Sequence, residues 1–425
     1  MRSAIHSANS ASEITTIART AVPVADPRRI DDEVADENMT NESVTAASDV
    51  PPPPPSNDAT GSRMPVGAIV LLTVSWVVLL SILVMAAVRI QRWELAPGEA
   101  MPVSPRIGFM PSQEGGMVPD RHVNDKGIRF VTAFGGQLSV LDALVGWLDP
   151  DVRVDTKTEH FGHETPKDSR RTSFQAMVSA KQVAEYVAMK KLGYDARIVE
   201  GPAMVQDVVC TNTKKDDEYS GCKALHPGDT ITAIDDVETP NISAVIAAIK
   251  DRKVGEYVTL SVTPYDLTTG GPDPDKKDTV QIRLMESPDT KGKAIIGFMP
   301  VDTREVRLPF EVNILTTDIG GPSAGLAFTL ALIDELTKGD LTGKGKVAVT
   351  GTIAVDGSVG AIGALRQKAV AVRDAGCSLF LVPKGQTAEE VAAARKAAGK
   401  GVRIVQVGTL EEALTALRAN GGTGI

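Results

Sequence analysis

The stretch that decides the fold lies near the C-terminus, where residues 320–325 read GGPSAG and residues 326–336 continue as LAFTLALIDEL. The apolar residues of the second stretch recur at helical spacing, which predicts that Ser323 lies where a loop enters a helix. Pro322 suits the first turn of that helix because it has no N–H group that would need a partner. Backbone N–H groups at a helix start, together with the positive end of the helix dipole, stabilise an oxyanion. Ser323 is therefore a candidate nucleophile.

The histidine content argues against a histidine base for Ser323. The segment GPSAG also matches G-x-S-x-G, the nucleophile elbow of α/β-hydrolases, which needs a histidine later in the chain. None of the five histidines follows Ser323; they are His6, His122, His160, His163 and His226. A chymotrypsin-like order is not excluded by order alone, but these histidines lie in loops or outside this part of the chain. Lysine is the other base that serine hydrolases use, provided that burial lowers its pKa.

One lysine after Ser323 differs from the others in its surroundings. Lys368 lies in GALRQKAVAVRDAG, at 363–376, a predicted helix in which Leu365, Ala369 and Val372 share an apolar face. The remaining lysines lie in polar or loop contexts, at 338, 344, 346, 384, 396 and 400. A lysine beside an apolar face is either snorkelling toward water or functional, and periodicity alone leaves both alternatives open.

Two motifs at matched distance resemble the proteolytic domain of the Lon family. GGPSAG is followed by VTGTIAVDGSVGAIGALRQK at 349–368, as that family has PSAG, then a TGEI-type strand, a glycine turn and IGGLKEK. The resemblance implies that Ser323 is the nucleophile, that Lys368, 45 residues later, is its base, and that Thr350 orients the lysine.

Three positions depart from the pattern of the Lon family. Gly320 stands where Lon has an aspartate, while Ala364 and Arg366 replace Gly and Lys of the GGLK segment. None of these departures removes the Ser-Lys dyad.

The motifs for ATP and metal binding are missing from the sequence. No G-x-x-x-x-G-K-[ST] occurs, and the nearest string, GDLTGKGK at 339–346, has a glycine where a hydroxyl would coordinate magnesium. The pair His160 and His163 in HFGH has no carboxylate or cysteine cluster beside it, so a solvated loop is favoured over a metal site. We therefore expect no cofactor and no metal, and an activity that does not depend on ATP.

Residues 191–287 have the strand and helix order of a PDZ domain. The matching pieces are Leu192-Gly193-Tyr194, Gly228 to Ile231 and Ile234 to Asp236, although Asp236 replaces the usual glycine. The resemblance implies that backbone amides of Leu192, Gly193 and Tyr194 cradle the carboxylate of a peptide C-terminus, with the peptide added as a β-strand. The alternative is a β-rich module that serves only as a spacer.

A membrane anchor is predicted at 64–90. Residues 66–88 read VGAIVLLTVSWVVLLSILVMAAV, with no charge over a length that spans a bilayer. The residues before it, 1–63, are poor in aromatics and end near the run Pro51 to Pro55, which predicts a disordered tail.

The charges around the anchor give little help with its orientation. Arg63 precedes it and Arg89 and Arg92 follow, so the positive-inside rule leans slightly toward a C-terminal part inside the cell. Cys210 and Cys222 bracket a short polar loop, which suits a disulfide and so favours an extracytoplasmic C-terminal part. Two free thiols are the alternative.

The whole sequence predicts an α/β protein with four parts after its disordered tail. They are the transmembrane helix, a mixed α/β juxtamembrane segment at 91–190 without recognisable chemistry, the PDZ-like module, and a Lon-type α/β proteolytic domain at 293–420. Cys377 is expected to be a plain buried residue. Net charge −9 and 4% aromatic residues argue against a nucleic-acid partner.

This order resembles the membrane-bound, PDZ-containing Lon-like proteases of Gram-positive bacteria over residues 64–420. The resemblance implies a single-pass, ATP-independent serine endopeptidase that faces the outside of the cell membrane, acts on proteins or peptides and forms a ring-shaped homo-oligomer. The alternative function is a non-enzymatic, membrane-tethered PDZ adaptor whose Lon-like domain is a scaffold.

Overall fold

The computed structural model describes residues 65–112, 116–124, 126–162, 164–210, 219–266, 271–273, 275–316 and 319–424. The tail predicted at 1–63 lies outside the described residues, as does His163. Residues 66–425 cluster by their contacts into one compact unit.

The described residues form helices of very different length and burial. They are α1 (Val66–Ala87), α2 (Val140–Leu148), α3 (Lys157–Phe161), α4 (Pro166–Lys191), α5 (Gly221–Ala224), α6 (Ile242–Ile249), α7 (Gly325–Leu336), α8 (Leu365–Asp374), α9 (Ala388–Ala398) and α10 (Leu410–Ala419). Two short 3-10 turns occur at Ser104–Arg106 and Pro322–Ala324.

The strands are mostly short. They are β1 (Arg89–Pro102), β2 (Ile107–Pro111), β3 (Ile128–Ser139), β4 (Arg153–Thr156), β5 (Arg197–Val199), β6 (Ala203–Val208), β7 (Thr230–Ile234), β8 (Val237–Glu238), β9 (Tyr257–Thr263), β10 (Tyr265–Asp266), β11 (Gly271–Pro272), β12 (Asp278–Arg283), β13 (Met285–Glu286), β14 (Ala294–Ile295), β15 (Phe298–Asp302), β16 (Glu305–Arg307), β17 (Phe310–Ile314), β18 (Val347–Val349), β19 (Thr352–Ile353), β20 (Val359–Gly360), β21 (Leu379–Pro383) and β22 (Arg403–Val407).

Helix α1 is the apolar helix that the sequence predicts. Its 22 residues carry no charge, their mean hydropathy is 2.8, and none of them is buried. At a rise of about 1.5 Å per residue the helix is about 33 Å long, enough to cross the hydrocarbon core of a bilayer. The chain leaves the helix at Ala87 and enters β1 at Arg89.

The larger sheet contains strands from both the N-terminal and the C-terminal part of the described chain. Its strand order is β22-β21-β18-β3-β1-β4. The strands β22, β21, β18 and β3 run parallel, and β1 is antiparallel to both β3 and β4. Strand β18 is buried along its whole length, which is typical of a central parallel strand with neighbours on both sides.

This sheet changes the interpretation of residues 91–190. The sequence predicts a separate juxtamembrane segment there, whereas the structure places β1, β3 and β4 in one sheet with the C-terminal strands. Helix α4 packs along α7, and Phe130 of β3 stacks at a tilt on Phe328 of α7 with 5.7 Å between ring centroids. The segment is thus part of the same fold as the C-terminal strands.

The β-rich module has a second sheet and its own core. Its strand order is β12-β9-β7-β6-β15, with β8 paired to β7. The core contains Ile231, Leu260 and Ile282, and helix α6 packs on β7 and β15. The last strand, β15, lies beyond the predicted end of the module at residue 287. A disulfide joins Cys210 to Cys222, as predicted, and Cys377 is buried.

Candidate active site

Ser323 lies at the entrance to a fully buried helix. It occupies the middle of the 3-10 turn Pro322–Ala324, directly before α7, whose residues from Gly325 to Glu335 are all buried. The Ser323 side chain itself is half-buried. The amide of Gly351 donates to its carbonyl oxygen at 2.8 Å, which ties the turn to the segment that follows β18. Because so apolar a helix packs on all sides, Ser323 stands on a rigid support.

Lys368 reaches Ser323 from the first turn of α8. Its Nζ lies 2.8 Å from Oγ of Ser323, which is hydrogen-bond distance for a proton carried by either group. The residue is only 4% exposed. Burial lowers the pKa of its ammonium group from 10.5 to about 8. Desolvation is the cause, because burial disfavours the charged form. The arrangement gives a lysine that is partly neutral near physiological pH and in contact with a serine hydroxyl.

Thr350 connects the two residues. It is fully buried, and its Oγ1 donates to the carbonyl oxygen of Ser323 at 3.2 Å. Oγ1 of Thr350 also lies 3.5 Å from Nζ of Lys368. Its own backbone amide donates to Leu381 at 3.0 Å, which fixes Thr350 to the central sheet. The three residues that the sequence singled out are thus brought together by β18, α7 and α8.

A cleft of about 780 Å³ opens onto Ser323 and Lys368. Its walls come from β1, β3, α4, the loop before α7 and the turn before α8. The wall residues from the N-terminal half include Glu99, Phe134 and Met177. The sequence predicts no functional residues at 91–190, so these wall residues are not among the predicted site residues. The one local signal is Pro97-Gly98 within a strand, a pair typical of a bulge, and the register of β1 does shift between Pro97 and Ala100.

The residues of the turn before α7, Pro322, Ser323 and Ala324, line this cleft. In a turn that begins at Pro322, the N–H groups of Ser323 and Ala324 have no partner within the turn itself. The amide of Gly325 does have one, the carbonyl of Pro322. Amides at a helix start are the donors that acyl-transfer enzymes use for a tetrahedral oxyanion.

Comparison with known proteins assigns the domain. Residues 314–419 match the family model of the Lon protease (S16) C-terminal proteolytic domain. The C-terminal part of the chain is thus similar to the proteolytic domain of Lon proteases. No curated protein sequence matches the chain significantly.

Several solved structures resemble part of the chain. The PDZ domain of an SdrC-like protein from Listeria monocytogenes is 25% identical, covering 25% of this chain and 93% of that chain at a TM-score of 0.19. A Geobacillus thermodenitrificans protein solved in solution is 16% identical, covering 23% and 95% at a TM-score of 0.18. The second domain of a Listeria protein is 26% identical, covering 25% and 88% at a TM-score of 0.18.

The structure explains two departures of this Lon domain from the family pattern. A Cβ at Gly320 would lie 2.9 Å from Cβ of Ser173 on α4, so the close approach of that helix leaves no room for an aspartate. Arg366 donates to the carbonyl of Pro150 and pairs with Asp151 at 3.0 Å, holding α8 to the loop after α2.

Ala364 is the third departure and carries backbone strain. It caps α8 with φ 58° and ψ 34°, in the left-handed region, where the family has a glycine. That region is unfavourable for a residue with a Cβ. Ala364 lines the catalytic cleft, so this strained position lies within the site.

In the loop predicted to bind a peptide carboxylate, the backbone amides already have other hydrogen-bond partners. The amides of Leu192, Gly193 and Tyr194 donate to Ala188, Lys190 and Met189 at 3.0, 3.2 and 3.0 Å, closing the end of α4. No amide is left free in this loop for a peptide carboxylate. The peptide-binding role predicted for these residues finds no support in this geometry, because helix capping already uses the three N–H groups.

A different part of the PDZ-like module presents an open strand edge. Strand β15 ends the sheet, and no other described strand pairs with its outer side. Gly297, with φ 95°, precedes it, and its carbonyl accepts from Val209 of the inner side. Since alternate residues direct their peptide groups to opposite sides, Phe298 presents its N–H and C=O to the open edge. The sequence does not predict this edge, because the predicted module ends at residue 287, before β15.

His160 of the HFGH segment has two close neighbours in the structure. Its Nδ1 lies 3.5 Å from Asp155, and its ring contacts Phe161 edge-on. Among the residues that the structure describes, no three His, Cys, Asp or Glu side chains group together to hold a metal ion.

Proposed function

We propose that this protein is a membrane-bound serine endopeptidase in which Ser323 is the nucleophile and Lys368 is its general base. The single observation that carries the proposal is the 2.8 Å contact between Nζ of the buried lysine and Oγ of the serine. A lysine must be neutral to accept a proton, and burial that lowers its pKa to about 8 supplies that state.

The mechanism follows from these contacts. Neutral Lys368 takes the proton of the Ser323 hydroxyl while Oγ attacks the peptide carbonyl carbon. The amides at the start of α7 stabilise the oxyanion, and the Lys368 ammonium then protonates the leaving amine. Water, deprotonated by the same lysine, releases the acyl group from Ser323. Thr350 holds the lysine and the serine backbone at their mutual distance through the whole cycle.

We further propose where the enzyme is located, that it does not depend on ATP, and how its copies assemble. Helix α1 anchors the chain in the membrane, and the Cys210–Cys222 disulfide supports an extracytoplasmic position of the catalytic domain. The sequence holds no P-loop motif, so cleavage by this chain would need no ATP. A ring-shaped homo-oligomer, as in the resembling family, completes the proposal.

The PDZ-like module would select substrates through the open edge of β15. An extended peptide adds to such an edge by main-chain hydrogen bonds, with side-chain pockets providing specificity. Helix α6 lies against β15 and, with Phe298 and half-buried Ile242 and Ile249, forms an apolar groove beside the edge. Protein or peptide chains with accessible extended ends are therefore the proposed substrates.

The proposal is tested with the full-length protein in nanodiscs, incubated with casein in the absence of ATP. Ser323→Ala and Lys368→Ala should each abolish cleavage while leaving the melting curve cooperative. Lys384→Ala is the matched control, because Lys384 is exposed and its Nζ lies 3.6 Å from Glu412 instead of contacting the serine. Retained cleavage in either dyad variant would contradict the mechanism, and an inactive wild type with an intact fold would favour the scaffold alternative.

A further inference from the structure

Helix α2 exposes an unusual number of large apolar side chains on one face. Leu144, Val145, Trp147 and Leu148 are 44%, 59%, 62% and 85% exposed. Leu144 lies three residues before Trp147 and four before Leu148, the spacings at which helical side chains are neighbours, so these positions form one continuous surface. Soluble proteins seldom leave such a surface uncovered unless it contacts a partner or a membrane.

The other face of α2 is already occupied by the fold. Ala143 and Gly146 are buried there, and a Cβ at Gly146 would lie 3.1 Å from Cγ2 of Val154. Ser139 and Asp142 cap the helix start by reciprocal side-chain hydrogen bonds. The helix is therefore held rigidly against β4, and its apolar side chains cannot rotate into the core.

The position of α2 relative to the membrane helix identifies its partner. The amide of Val140 at the start of α2 donates to the carbonyl of Val88, one residue beyond α1. Helices α1 and α2 also contact each other. Arg89, at the same junction, donates to the carbonyl of Gln137 and lies 3.5 Å from Asp142. The start of α2 is thus fixed at the level where α1 leaves the hydrocarbon core.

We infer that α2 lies in the membrane interface, with Leu144, Val145, Trp147 and Leu148 inserted among the lipids. This inference rests on the membrane anchoring by α1 proposed above. A helix of nine residues is too short to span a bilayer, but an apolar face with a tryptophan beside an anchoring arginine suits the interfacial region. Such a helix buries its apolar face about 5–10 Å into the boundary between headgroups and acyl chains.

The consequence for the enzyme is a fixed orientation. One membrane helix alone leaves a domain free to rotate and tilt about its attachment. A second contact through α2, which packs on β1, β3 and β4, would hold the large sheet and the catalytic cleft at a set height and angle above the lipid surface.

Tryptophan fluorescence tests the inference in the full-length protein. The chain has three tryptophans, of which Trp76 lies in the middle of α1, Trp93 is 7% exposed in the core, and Trp147 is on α2. In the Trp76→Phe variant the fluorescence comes from Trp147 and Trp93. In the Trp147→Phe variant it comes from Trp76 and Trp93. The double variant gives Trp93 alone for subtraction. Each is reconstituted in vesicles of phosphatidylcholine carrying bromine at shallow or deep acyl positions.

The expected result is that shallow bromines quench Trp147 more than deep ones do, and that Trp76 shows the reverse order. Iodide in the aqueous phase should leave Trp147 largely unquenched. Leu148→Glu, added to Trp76→Phe, should reduce the quenching of Trp147 by shallow bromines, because it places a charge within the apolar face.

The other outcomes overturn the inference and separate its failure from that of the anchor. If Trp76 is quenched by deep bromines but Trp147 is quenched only by iodide, α2 is in water and the anchor stands. If Trp147 is protected from both quenchers, protein covers it, as in an interface with a second copy. If Trp76 is not quenched by bromine at any depth, the membrane anchoring itself is wrong.

Discussion

Replacing Lys368 by methionine should abolish proteolysis and at the same time stabilise the fold at neutral pH. The lysine pKa falls from 10.5 to about 8 on burial. Each pKa unit corresponds to about 1.4 kcal/mol, so keeping the ammonium form buried costs about 3 kcal/mol at pH 7. Methionine has a similar length and no charge to desolvate. Loss of the hydrogen bond to Ser323 destabilises the variant by about 1 kcal/mol, which leaves a net stabilisation of the folded state of about 2 kcal/mol.

The pH dependence distinguishes this cause from better packing. Between pH 8 and 10.5 the unfolded chain binds more protons at Lys368 than the folded chain does, so the wild type becomes more stable as pH rises through this window. The cost of the buried ammonium falls from about 3 kcal/mol at pH 7 to about 1 kcal/mol at pH 10. The advantage of Lys368→Met should therefore shrink by roughly 2 kcal/mol between these two pH values.

The assay is thermal unfolding of the full-length protein in detergent at pH 7 and pH 10. Lys384→Met serves as the control, since its side chain is 68% exposed. The same pKa predicts that kcat/KM of the wild type rises about tenfold per pH unit up to about pH 8 and then levels off. A Lys368→Met protein that melts no higher than wild type at pH 7, or whose advantage is equal at both pH values, refutes the reasoning.

Two other predictions concern the cleft and the PDZ-like module. Ala364→Gly should raise stability by roughly 0.5–1 kcal/mol in denaturant unfolding, because relief of the left-handed strain at φ 58° exceeds the added entropy of the unfolded chain. Ala361→Gly, a nearby residue without positive φ, should lower stability instead, and a gain there as large as at Ala364 would contradict the strain argument. Fluorescent peptides with a free C-terminus should bind the inactive Ser323→Ala protein more tightly in anisotropy measurements than amidated ones, because the Phe298 N–H at the open edge of β15 would receive the carboxylate. Equal affinities would contradict a carboxylate site at that edge.

The sequence predicted the catalytic contact better than it predicted the walls around it. Ser323 and Lys368 each lie beside a strong local signal, a loop entering an apolar helix and a lysine next to an apolar face. Periodicity alone could not separate a snorkelling lysine from a buried one, because it assigns a residue to a face without showing what packs over that face. The packing of α8 supplies that information, leaving Lys368 4% exposed.

The parts that the sequence missed depend on contacts between distant segments. Phe130 of β3 pairs with Val349 of β18, and no local pattern marks such a partnership. The segment 91–190 therefore looked independent although it builds one wall of the cleft. The residues Leu192-Gly193-Tyr194 resemble a carboxylate-binding loop in sequence, but the structure also shows them at the end of a helix, where their amides donate to helix carbonyls. A local motif does not reveal this second use of the same amides.

The pairing of β3 with β18 has a consequence for the timing of activity during biosynthesis. The N-terminal strands reach the ribosome exit long before β18, and the whole PDZ-like module is synthesised between them. Contacts between such distant segments form slowly, because a long loop must close first. Thr350, next to β18, and Lys368 come later still. Under the proposed function, the Ser-Lys pair would therefore be assembled only after the C-terminal strands have been synthesised.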